Sequence, residues 1–78
     1  MTDTGVLKLS GAVDFSTVPQ LARDTNIAEF HTVDWAAVNK VDSAALALSL
    51  AWQGLAAHLQ QLHQPEALRM LAEVYDAQ

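Results

Sequence analysis

From Ser43 to Leu62 the chain carries no Asp, Glu, Lys or Arg. A helix that rests on a sheet with its other face in water normally carries charge outside, so this run limits how such a chain can fold. Leu48, Trp52, Leu55, Leu59 and Leu62 form the main stripe of a helix expected from Ser43 to about Leu59 or Leu62. Opposite that stripe, in the first half "AALALSLAW", stand alanines and one serine. Two arrangements satisfy such a helix. It can be covered by its own sheet on one side and a neighbouring helix on the other, or its small residues can form a flat seat for another protein. A bilayer span is a poor fit, because Ser43 to Leu59 is about the shortest length that would cross and is interrupted by Ser43, Ser49, Gln53, Gly54 and His58.

The pair Asp42-Ser43 opens the run. Both are favoured N-caps, whose side-chain oxygen accepts a backbone N–H left free at a helix start. A serine there also displays its oxygen at the positive end of the helix dipole, where an added phosphate would meet free donors while the neighbouring carboxylate opposed it.

Upstream, "GVLKLSG" (Gly5 to Gly11) alternates apolar and polar residues between glycines and reads as a short strand. The period then changes. Val18, Leu21 and Ala22 share a helical face from about Thr17 to Asp24, with Ser16 or Thr17 as N-cap and Pro19 tolerated in the first turn. A second strand is expected at about Thr32 to Ala36, and strand, helix, strand in that order favours parallel pairing through a right-handed crossover. The segment "HLQQLHQ" reads equally as a stunted strand or as more helix. In "PEALRMLAEVYDAQ", Pro65 at the start, Glu66 in the first turn and a Leu68, Leu71, Ala72, Tyr75 stripe specify a final helix.

With 78 residues the chain is one domain at most, and its small buried fraction makes a partner or an oligomer a source of stability. An apolar share of 51% against 17% charged residues describes a globular chain, and a net charge of -5 with four Lys and Arg argues against nucleic acid. No cysteine is present, which removes disulfides and thiolate chemistry, and "MTDTGVLKLSG" lacks the pattern of a secretory signal, so a cytoplasmic location is expected. His58 and His63 are five apart, not the three or four that align ligands on a helix. Asp34 beside Trp35 has no second carboxylate fixed near it, and the three glycines form no phosphate loop. The residues therefore give no catalytic set, no metal site and no cofactor site, and an enzyme is not expected.

Two short motifs carry a family resemblance. "SGAVDFSTV" (Ser10 to Val18) resembles the "G-E-L-D…T" segment of STAS domains, and "VDSAAL" (Val41 to Leu46) resembles their "D-S/T-x-G-L" loop at a helix start. Within that family, "LAWQGLA" (Leu50 to Ala56) and "PEALRMLAEVY" (Pro65 to Tyr75) are most similar to the small stand-alone STAS proteins of Mla phospholipid transport systems, the MlaB-like proteins. The resemblance implies a small mixed sheet of two to four short strands with helices packed on one face. It also implies a non-enzymatic accessory subunit that binds the ATPase of a phospholipid-trafficking ABC transporter, touching the inner membrane only through that complex. The alternative it implies is an anti-sigma factor antagonist phosphorylated on Ser43.

On this reading Asp14, Phe15, Asp42, Ser43, Ala44, Ala45 and Ala47 form the partner-binding surface, and Ser43 is the candidate phosphorylation site. Three departures from the family pattern stand out. Ala45 occupies a place that is usually glycine, which keeps a partner backbone farther away. Few residues precede Gly5, so the first edge strand is expected to be short or absent. The span from Gln53 to Pro65 is short for a full helix, turn and strand. Unpaired edges of so small a sheet invite pairing with another chain, so a homodimer is a further expectation.

Overall fold

The computed structural model describes residues 2, 3 and 5–76, with side chains described from Gly5 to Val74. The elements follow in the order β1 (Thr2–Asp3), β2 (Val6–Val13), α1 (Val18–Asp24), a 3-10 turn (Ile27–Glu29), β3 (Thr32–Val41), α2 (Ser43–Leu55), β4 (Gln60–Leu62) and α3 (Glu66–Asp76). They build a small mixed α/β fold: one open sheet in the order β1-β2-β3-β4, in which β2, β3 and β4 are parallel and β1 is antiparallel to β2. One face of the sheet is apolar, with Leu7, Leu9, Val33 and Trp35 buried against the helices, and Lys8, Ser10, Ala36 and Gln60 lie exposed on the strands between them. Alternation along each strand sends successive side chains to opposite faces, which is why "VLKLS" suffices to define β2.

Both edges are short. β1 pairs through Thr2 with Leu7 and Asp3 with Val6, and β4 covers only Thr32 to Asp34 of β3. Gly5 enters β2 with φ +71, and a Cβ there would meet the imidazole of His31. Its carbonyl accepts the N–H groups of His31 and Thr32 at 2.9 and 3.2 Å, which ties the start of β3 to the start of β2.

The second strand continues five residues beyond the expected Ala36, to Val41. The cause is two register slips against β2, one between Lys8 and Ser10 and one at Gly11 (φ +73), each adding a residue to β3. Inward positions become Val33, Trp35, Val38 and, half-buried, Val41, a spacing that hides the alternation from any period-two reading.

The uncharged run divides. α2 stops at Leu55, not at Leu59 or Leu62, because the Gln53 amide donates to the carbonyls of Ala57 and Leu59 at 3.2 and 3.0 Å and turns the chain out of the helix. Ala56 and Leu59 then enter the core, and Gln60–Leu62 joins the sheet as the strand that was left open. The expected stripe is corrected accordingly: Leu48 and Trp52 are buried, whereas Leu55 is 77% exposed and Leu62 43%. α2 packs on β3 and is flanked by α1, the 3-10 turn and α3. Its cover leaves a ridge of Ser43, Ala47, Leu50, Ala51 and Gly54 in solvent. No described helix is long and apolar enough to cross a membrane.

Candidate functional site

The carboxyl ends of β2 and β3 lie side by side, with Val13 opposite Val41, so the loops that follow them meet. Asp42 joins those loops. Its Oδ1 accepts the N–H of Ala44 at 2.8 Å, which caps α2, and its Oδ2 accepts the N–H of Phe15 at 3.1 Å, which fixes the loop after β2. One carboxylate thus sets both the start of α2 and the position of Phe15, whose ring is 77% exposed beside it.

Asp14 is organised in the opposite sense, inward. Its Oδ1 accepts from the Ser16 hydroxyl at 2.7 Å and from the Ser16 and Thr17 N–H groups at 3.0 and 3.3 Å, and Lys40 Nζ lies 3.8 Å from Oδ2. The Ser16 hydroxyl chiefly holds the Asp14 carboxyl below the ordinary aspartate range, with the two backbone N–H groups and Lys40 adding to it and burial opposing it. The helix start expected to be capped by Ser16 or Thr17 has no side-chain cap on Thr17. Thr17 Oγ1 instead accepts the Asp14 N–H at 2.9 Å and donates to the Ala12 carbonyl at 3.1 Å, so the loop folds around the acid.

Two of the expected contact residues are corrected by this geometry. Ala45 has no exposed surface, because its place in the first turn of α2 points it into the core, and a side chain that solvent cannot reach cannot touch a partner. Asp14 is 5% exposed, with Oδ1 bonded to its own loop and Oδ2 turned to Lys40 on β3, so it shapes the surface from beneath. Ser43 and Ala47 are exposed on α2, Ala44 is half-buried, and Phe15 stands at the edge.

A further part of the surface comes from α3. A groove of about 570 Å³ runs between the start of α2 and α3, lined by Val41, Asp42 and Ser43 on one side and by Ala67, Met70, Leu71 and Val74 on the other. Met70 and Val74 are 57% and 61% exposed. The sequence signal for this face is a second apolar row on α3, at positions 67, 70, 71 and 74, beside the core stripe through Leu68, Leu71 and Ala72.

Behind α3 lies a polar cluster that residue patterning did not reveal. Gln61 Oε1 accepts from Trp35 Nε1 at 3.2 Å, from the Ser49 hydroxyl at 2.8 Å and from Gln64 Nε2 at 3.2 Å. Its Nε2 donates to the Ser49 carbonyl and to Gln53 Oε1, each at 3.1 Å. Every polar atom of this side chain is used internally, so the cluster braces α2 against β4 rather than offering free groups to a ligand.

Among the described residues there is no group of three or more His, Asp or Glu side chains placed to hold a metal ion. Comparison with profiles of known protein families, with curated proteins and with solved structures finds no match.

Proposed function

We propose that the chain is an accessory subunit that docks on the ATPase of an Mla-type phospholipid ABC transporter through the open end of α2. The observation that carries this reading is the apolar surface gathered around Ser43: Phe15 from the loop after β2, Ala47 on α2, and Met70 and Val74 on α3, all exposed. Exposed apolar side chains drawn together from three segments support recognition of another protein, because leaving them in water costs free energy that burial recovers. The family resemblance of "VDSAAL" and "PEALRMLAEVY" supplies the partner. On this reading the protein works in the cytoplasm, peripheral to the inner membrane through its complex, and performs no chemistry itself.

A second reading rests on the exposure of Ser43 at the first position of α2. It is an anti-sigma factor antagonist released by phosphate on that serine. The adjacent Asp42 carboxylate repels such a phosphate and already occupies the Ala44 N–H that would bind it, which places this reading second. Tagging the protein in its host and identifying what co-purifies separates the two. An ABC ATPase whose hydrolysis rate changes when the subunit is removed supports the first. A kinase that consumes ATP to modify Ser43, with no ATPase retained, contradicts it.

A further inference from the structure

The groove between α2 and α3 has walls of a particular kind. One is the helix α3, whose backbone groups beyond its first turn are satisfied within the helix, and the other is made by the end of β3, the cap Asp42 and the first residue of α2. Past its first turn, the α3 wall offers an entering segment side chains rather than free backbone groups. A helix, which satisfies its own backbone, suits such a wall. The α3 wall repeats its apolar side chains at i, i+3, i+4 and i+7 (Ala67, Met70, Leu71 and Val74), a row about two turns long that matches the ridge of another helix.

The charges around the row select the occupant further. Glu66 and Glu73 are exposed along one flank of it, Asp42 lines the opposite wall, and no Lys or Arg lines the groove. Arg69, the one basic residue of α3, falls by helical spacing on the side away from Ala67 and Leu71. A second copy of this chain is a poor occupant, because each copy carries a net charge of -5 and would bring its own acidic flank against the first. From this geometry we infer that the groove receives one amphipathic helix of the partner, with an apolar stripe set over Met70 and Val74 and with Lys or Arg residues facing Glu66 and Glu73. The inference deepens the docking role proposed above and rests on it for the identity of the protein that supplies the helix, but not for the chemistry of the site.

The probe is a synthetic peptide about four turns long, with leucines at i, i+3, i+4 and i+7 and lysines on one flank. Its control keeps the leucines and replaces each lysine by glutamate. Titrated into the isotope-labelled full chain, the lysine peptide is expected to shift the amide resonances of Ser43, Ala67, Met70 and Val74, and the control to bind at least about tenfold more weakly. Glu73→Lys should weaken the lysine peptide roughly two- to fivefold, an effect that shrinks with added salt. Val74→Asp, at an exposed position that leaves the fold intact, should weaken it about tenfold or more. Absence of shifts at the groove, or equal binding of the two peptides, overturns the inference.

The identity of the partner is read separately. If the peptide binds but no ATPase co-purifies with the native protein, the groove stands and the transporter role falls. If the ATPase co-purifies equally with the native chain and with Val74→Asp, the role stands and the groove inference falls.

Discussion

Asp42 holds more of this surface together than any other described residue. Its two oxygens bond different segments, Ala44 on α2 and Phe15 on the loop after β2. Asp42→Ala should therefore cost more than a single cap, about 2 kcal/mol, and urea unfolding read by tryptophan fluorescence measures it. Asp42→Asn keeps one acceptor and should recover part of the loss. The two lowered carboxyls give a pH dependence with a defined sign. Asp14 is held down chiefly by the Ser16 hydroxyl, and Asp34 chiefly by the Ala36 N–H, then by His63 at 3.0 Å. A group whose folded value is lowered binds fewer protons in the native state, so its contribution is present above the ordinary aspartate value of about 3.9 and is lost as pH falls through the lowered values. Acid unfolding should begin below that value, and Asp34→Asn should flatten its slope. An unchanged slope would show that Asp34 has the same affinity for protons in both states.

At the scale of elements, the strand and helix order was readable because each segment keeps one period. β2 alternates, α1 starts beside Pro19, and α3 opens on Pro65 and Glu66. Legibility failed where tertiary bonds override a local pattern. The leucines at 55, 59 and 62 continue a helical stripe on paper, but Gln53 captures the carbonyls beyond Leu55 and the pattern ends. β3 looked five residues shorter because its two added residues break the alternation that identifies a strand. Gln61 was invisible for a related reason: polar residues on a short edge strand read as solvent-facing, and only the placement of Trp35 and Ser49 turns this one inward. Gln61→Leu preserves bulk while removing the partners of the Trp35 N–H and the Ser49 hydroxyl. It should destabilise the fold by about 3 kcal/mol in urea unfolding, with Ser49→Ala costing about 1 kcal/mol. A neutral Gln61→Leu would mean that water replaces the amide.

On the scale of the whole molecule, a sheet with short edges and one layer of helices leaves little cover for α2. The uncharged run is covered by the rest of the fold on one face of α2 and left in solvent on another. Ala45, Leu46, Leu48 and Trp52 seal it to the core, and Ser43, Ala47 and Ala51 remain outside. The expected site was legible in part for this reason. Residue type placed Ser43 and Ala47 at the helix start, and residue type could not say that Ala45 turns inward or that Met70 and Val74 come from a distant helix to complete the surface.

The docking role proposed for that surface is tested most directly by Ser43→Glu, compared with the native chain in co-purification of the proposed ABC ATPase from the host. Glutamate in the first turn favours the helix dipole, so far-UV circular dichroism and urea stability should hold or rise by a few tenths of a kcal/mol. The account predicts loss of the ATPase from that intact variant, as a buried unpaired carboxylate enters the contact. Retention of the ATPase at the native level would contradict it.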